Sequence, residues 1–172
     1  FDSICASGVH GLLIYHAIEN KKKGMSVKEN MQALEELKHR IVHKFTVDDL
    51  TYLQRGGRIS KTAAVIGGMI QLKPVLHVDT EGRLAAESKV RGRKKALNQL
   101  LAEMDICTGS YADKQDVVLI CHADCPEDAE YVRAKVEEKY HPNKIIMSEV
   151  GPIVGAHVGP GTMVLIFEGD KR

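Results

Sequence analysis

Two glycine-bearing segments carry most of the chemistry that this sequence offers. In Gly56-Gly57-Arg58-Ile59-Ser60, adjacent glycines let the backbone turn tightly or come close to a ligand. Arg58 adds a planar fork of donors suited to carboxylate or phosphate. The competing reading is a turn whose arginine faces solvent. In Gly155-Ala156-His157-Val158-Gly159-Pro160-Gly161, a histidine sits within a glycine-rich loop that holds it by backbone geometry and leaves it open to approach. An imidazole so placed can hydrogen-bond a carboxylate or, when protonated, pair with it; a structural histidine is the alternative.

Two further segments are charged or rich in metal-binding types. Lys89-Val90-Arg91-Gly92-Arg93-Lys94-Lys95 is a dense basic run at a strand-to-helix junction. It reads either as solvated surface or as a docking patch for an acidic partner or a phosphorylated ligand. Cations at a helix start oppose the macrodipole, a mild cost that points to another use. Cys121-His122-Ala123-Asp124-Cys125 gathers four potential ligands. Its spacing matches no common zinc module, and no second ligand pair accompanies it, so no metal is expected. The sequence has no phosphate loop, nucleophile elbow, zinc-protease helix or dinucleotide fingerprint. Taken alone, these residues support an anion-recognising pocket, with no catalytic residue and no identifiable reaction.

The elements that must position these residues follow from periodicity and punctuation. Val9, Leu12, Leu13 and His16 line one face of a helix over 7–18, which Lys21-Lys22-Lys23-Gly24 stops. Ser26 and Glu29 form a capping box that opens a second helix, with Val27, Met31, Leu34, Leu37 and Ile41 as its buried stripe. A short strand over 44–47 leads to a brief helix, capped by Asp48 or Asp49, and so to the Gly-Gly-Arg segment. Residues 62–71, small and apolar on nearly every side, predict a buried helix. Strands over 74–78 and 83–90 make a hairpin around Thr80-Glu81-Gly82. The remaining order is a helix over 91–104, a strand over 117–121, a helix over 126–140, a strand over 144–147, the His157 loop and a strand over 163–167. Such an order implies a mixed sheet covered by helices on at least one face.

Composition bounds the function classes. The 172 residues carry 24 basic and 23 acidic side chains, which argues against a general nucleic-acid binder, since that role needs a basic excess. The four cysteines suit cytosolic thiols better than a disulfide framework. No apolar run approaches the roughly 20 residues needed to span a bilayer, so the expected location is cytoplasmic. The chain opens on Phe1-Asp2-Ser3 without methionine, which reads as a fragment of something longer.

Four blocks in order and register resemble the DegV family. They are the run from Phe45 to Ser60, Leu72-Lys73-Pro74-Val75-Leu76 with the Gly82 hairpin, the Lys89–Lys95 basic segment, and Gly155 to Gly161. With the Asp2-Ser3 start they cover essentially the whole chain. The resemblance implies a bacterial fatty-acid-binding protein, some members of which present the bound acyl chain to a fatty-acid kinase. It implies the C-terminal domain of a two-domain fold, an α/β two-layer domain with a mixed β-sheet and helices over residues 44–172. Residues 1–43 would be a helical segment linking from an N-terminal α/β domain. That domain's Ser and Thr hydroxyls would complete the carboxylate site, so half the clamp lies outside this chain.

Carried over residue by residue, the family's arginine is Arg58 and its histidine is His157, with Gly57, Ile59, Gly155 and Ala156 beside them. Ile66, Met69 and Ile70 would wall the acyl tunnel, small neighbours such as Ala63, Ala64, Gly67 and Gly68 leaving room for the chain. Arg91 and Arg93 would take part in docking the kinase's catalytic subunit. No cofactor is implied beyond bound fatty acid. The rival from another class is a small-molecule enzyme in which His157 is general base and Arg58 anion stabiliser on a phosphorylated or carboxylated substrate. Fold analogy alone supports that rival weakly.

Overall fold

Alternating burial along the middle strands decides the layering. On β4 (Val117–His122), Val117, Leu119 and Cys121 belong to one apolar cluster, and Val118 and Ile120 to another. On β6 (Met163–Glu168), Val164 and Ile166 join the first, while Met163, Leu165 and Phe167 join the second. Successive side chains point to opposite faces of a sheet, so the two clusters lie on its two sides. Strands buried on both faces read as continuous apolar runs rather than as alternation.

The computed structural model describes residues 1–60 and 72–171. The other strands are β1 (Ile41–Thr46), β2 (Leu72–Val78), β3 (Leu84–Arg91) and β5 (Lys144–Glu149). The six form one sheet in the order β3-β2-β1-β6-β4-β5. β4 and β5 pair in parallel, and every other neighbouring pair is antiparallel. This is the mixed sheet and α/β class expected from the order of elements.

Helices cover both faces. The first cluster takes Val9, Leu12 and Leu13 of α1 (Gly8–Lys22), Leu34 and Leu37 of α2 (Val27–Leu37), and Leu50 and Leu53 of α3 (Leu50–Arg55). The second takes Leu97, Leu100 and Met104 of α4 (Arg93–Thr108) and Ala129, Val132 and Val136 of α5 (Pro126–Tyr140). Residues 1–43 thus supply α1 and α2, which share the face opposite α4 and α5 with α3, and they run three residues into β1. Among the described residues no helix is long and apolar enough to cross a membrane.

Two sequence expectations need correction. The capping box at Ser26 is present, with the Ser26 backbone amide donating to Glu29 and the Glu29 amide donating to the Ser26 hydroxyl. Yet Val27 is 83% and Met31 41% exposed, and Ile41 belongs to β1. Only the C-terminal part of α2, at Leu34 and Leu37, joins the first apolar cluster, so the periodic stripe continues beyond the surface it can cover. Residues 151–161, expected as a loop, contain the short helix α6 (Pro152–Val158). Pro152 lies where its missing amide costs nothing, and Gly159 closes the helix at φ +77°. The expected helix over 62–71 lies outside the described residues.

One charge is buried deliberately in the second face. Lys44 of β1, 2% exposed, lies 2.6 Å from a Glu87 carboxylate oxygen and 3.9 Å from Glu103 of α4, itself 8% exposed. Removing one partner of a buried pair strands the other, at a cost of about 3–5 kcal/mol. Glu87 is 27% exposed and can turn to water, whereas Glu103 cannot. We therefore expect Lys44→Ala to destabilise the fold by about 3 kcal/mol in denaturant titrations, and Lys44→Ala/Glu103→Gln to recover part of that loss.

Candidate functional site

The Gly-Gly-Arg segment is the stop of helix α3. Asp49 opens that helix, its carboxylate accepting the Thr51 amide at 2.8 Å. Those hydrogen bonds hold the Asp49 carboxyl below its ordinary value, the Thr51 side chain contributing most. At the other end the Gly57 amide donates to Gln54 O at 3.0 Å and the Arg58 amide to Leu53 O at 2.8 Å. This paired closure requires a left-handed residue at the first position past the cap, which is Gly57 at φ +73°. The backbone of Arg58 is therefore fixed, although its side chain is exposed and folds back to donate to Gly56 O at 2.5 Å.

His157 stands in the last turn of α6. The helix end is held by the Thr162 hydroxyl, which lies 3.0 Å from Val158 O and 2.9 Å from Gly159 O. Behind it, Ala123 donates to Thr162 O and Gly161 to Ala123 O, tying the turn after α6 to the end of β4.

The ends of α3 and α6 meet face to face through glycines. A Cβ on Gly56 would run into Nδ1 of His157, and one on Gly159 into the ring of Tyr52. A Cβ on Gly161 would come 2.7 Å from the Asp48 carboxyl carbon. Arg58 and His157 are thus both brought to Gly56, one against its carbonyl and one against its Cα. Nδ1 of His157 is buried and has no hydrogen-bond partner among the described residues. An orphaned buried nitrogen costs roughly 1–3 kcal/mol, and Gly56 covers this one. The exposed Arg58 guanidinium and the half-buried His157 ring therefore both lie against Gly56.

The other expected site residues are distributed as follows. Gly57 is exposed, Ile59 is half-buried and packs against the first apolar cluster, Gly155 is half-buried and Ala156 is exposed. Ile66, Met69 and Ile70 lie outside the described residues. Arg91, at the end of β3, is exposed. Arg93 is turned inward: Nε donates to Asp128 at 2.7 Å and Nη1 to Asp48 at 3.3 Å. Its companions Lys94 and Lys95 are exposed. Within 121–125, His122 Nδ1 accepts the Cys125 amide at 3.4 Å, and the Cys125 thiol donates to Thr162 O at 3.3 Å. Those groups tie the β4–α5 turn to the turn after α6. Burial pushes the Cys121 thiol up to about 11.

Asp48 and Tyr52 were not singled out from sequence as parts of the site. Asp48 receives Lys73 at 2.9 Å as well as Arg93, and so links the starts of β2 and α4 to the site. The Asp48-Asp49 doublet was the available signal, but its reading as a cap suits either residue. Which one caps depends on partners 25 and 45 residues away.

Comparison with known proteins agrees across the whole chain. A family model described as an uncharacterised protein of the DegV family matches residues 1–170. A DegV domain-containing protein of Clostridium perfringens is 41% identical over 162 residues, which is 94% of this chain and 55% of that protein. The DegV domain-containing protein YteA of Lactococcus lactis is 34% identical over 168 residues, covering 95% of this chain and 56% of its own. Among solved structures, DegV of Bacillus subtilis, described as a fatty acid binding protein, superposes with a TM-score of 0.81 at 31% identity. That match covers 99% of this chain and 60% of the other. A DegV lipid binding protein of Thermotoga maritima gives 0.85 at 27% identity, covering 100% and 59%. The Streptococcus pneumoniae fatty acid kinase B3 protein, loaded with linoleic acid, gives 0.90 at 19% identity over 99% and 59%, a likeness of fold. The chain spans little more than half the length of the curated relatives it matches.

Two substitutions test the geometry. Gly159 has φ +77° and ψ 171°, a region essentially restricted to glycine. Gly159→Ala is expected to cost about 1–3 kcal/mol from backbone strain, with further loss from Tyr52, measured by chemical denaturation. Asp49→Ala removes the α3 cap and is expected to cost about 1 kcal/mol at pH 7. The wild-type carboxyl is depressed on folding, so its contribution is full above the unfolded value. It fades as pH falls through the lower folded value. The gap between wild type and Asp49→Ala should therefore close below about pH 3.8 and persist at neutral pH.

Proposed function

The chain belongs to the DegV family, and on that premise we propose that it holds the carboxylate of a long-chain fatty acid between Arg58 and His157. The observation that carries this reading is the convergence of both side chains on Gly56. A fatty acid at neutral pH is an anion joined to an apolar chain, so its site needs a cationic or donor clamp beside an apolar wall. Arg58 and His157 supply the clamp. Ile59 begins the wall, and the apolar run over 62–71, with Ile66, Met69 and Ile70, continues it in sequence. Relatives at 27–31% identity are described as lipid or fatty acid binding proteins, which favours binding over a reaction on a small substrate.

The finer reading is that the held carboxylate is presented to a fatty-acid kinase. Arg58 is exposed, so a carboxylate held there is within reach of a second protein. The basic surface of Arg91, Lys94 and Lys95 would draw an acidic partner by long-range attraction. The clamp itself catalyses nothing in this account; it fixes and displays the acid.

Mass spectrometry of lipid extracted from the intact protein is expected to find long-chain fatty acid. Arg58→Ala and His157→Ala should each weaken fatty-acid binding about 10- to 100-fold, the range for losing one charged hydrogen bond. Absence of lipid, or unchanged affinity in both variants, would overturn the assignment. Charge reversal at Arg91 should reduce kinase association while leaving lipid retention intact.

A further inference from the structure

We propose that Arg93 is a positioning residue for the carboxylate clamp, holding Asp48 against Gly161 and so setting the seat of His157 on Gly56. The inference rests on the carrier reading above and departs from an assignment of Arg93 to partner docking. The guanidinium reaches three groups on two other segments. Nε donates to Asp128 of α5 at 2.7 Å, Nη1 to Asp48 ahead of α3 at 3.3 Å, and Nη2 lies 3.5 Å from the Cys125 sulfur. Its side chain is 23% exposed, within a segment whose neighbours Lys94 and Lys95 face solvent.

From Asp48 the path to the clamp is a set of close contacts. The Asp48 carboxyl occupies the space where Gly161 would carry a Cβ. Gly161 donates to Ala123 O at 2.7 Å, and the adjacent Thr162 hydroxyl closes the end of α6. His157 stands in the last turn of that helix, next to Val158. On the α3 side Asp48 precedes the Asp49 cap, so it sits at the root of the helix that ends in Gly56 and Arg58. Arg93 therefore acts on both halves of the clamp through one carboxylate.

Arginine suits this task for a geometric reason. Its planar fork engages two carboxylates in different directions at a fixed angle, whereas an ammonium on a flexible stem fixes no such angle. Lys73 also holds Asp48 at 2.9 Å, but from the β2 side, and it makes no tie to α5. Losing Arg93 leaves Asp48 pulled toward Lys73 alone, away from Gly161. These pairs are partly exposed, so each alone is worth little and salt weakens it; the network gives the position.

The test uses the intact protein with Arg93→Ala, Arg93→Lys, Asp48→Asn and the double variant Arg93→Ala/Asp48→Asn. The readouts are the His157 ring 15N and 1H resonances without ligand, affinity for palmitate, and the thermal midpoint. Arg93→Ala is expected to shift the His157 resonances and to weaken palmitate binding about tenfold, the scale of one charged hydrogen bond. Arg93→Lys should fall between wild type and Arg93→Ala. Asp48→Asn should reproduce the Arg93→Ala effect, with the double variant no worse than either single. Unchanged His157 resonances in both single variants would overturn the proposal, as would equal failure of Arg93→Lys and Arg93→Ala with a collapsed thermal midpoint. Should the wild-type protein bind no palmitate, the carrier reading falls, while the ligand-free His157 resonances still decide whether Arg93 positions that ring.

Discussion

The site depends on three places where there is no room for a Cβ. Gly56 lies under the His157 ring, Gly159 under Tyr52 and Gly161 under the Asp48 carboxyl. These contacts let the end of α3 and the end of α6 approach more closely than side chains would allow. Two of the three glycines also have positive φ, so conformation and space both exclude other residues there. Everything proposed for Arg58 and His157 follows from this approach. The helix stop that ends α3 fixes the backbone of Arg58, and the glycine turn after α6 holds His157 against Gly56.

Around that junction the molecule spends its ion pairs on alignment. Asp48 gathers Lys73 and Arg93, and Arg93 extends the tie to Asp128, so the starts of β2, α4 and α5 share one charged knot. Deeper in the second apolar face, Lys44 is bracketed by Glu87 and Glu103. The two arrangements differ in kind. Lys44 and Glu103 are nearly closed to water and have a fixed place in the core. The Asp48 group is partly exposed, and its consequence is positional more than energetic. A clamp of partly solvated side chains gains more from being held in place than from the strength of any one pair.

Local signals made much of this legible in the sequence. The Ser26 capping box, the Gly82 hairpin, the proline start of α5 and the apolar runs of β4 and β6 each act within a few residues, and each element stands where those signals put it. Gly57-Arg58 and His157 stand out in the sequence because glycine next to a polar side chain is a local pattern too. The misread parts have non-local causes. Glycine and proline around His157 look like loop residues, yet Pro152 and Gly159 are the two ends of a seven-residue helix. Val27 and Met31 keep helical spacing, but α2 joins the apolar core only farther along, at Leu34 and Leu37. Arg93 reads as one more cation in a basic run, and its inward turn depends on Asp48 and Asp128, 45 and 35 residues away. No window of sequence contains those partners.

The central claim concerns where an acyl carboxylate is held. A crystal structure of the intact protein with palmitate bound would test it directly. The account predicts a carboxylate oxygen within about 3 Å of a His157 ring nitrogen and of the Arg58 guanidinium, the range of a charged hydrogen bond. A carboxylate seated elsewhere, with His157 still packed unpartnered on Gly56, would contradict it.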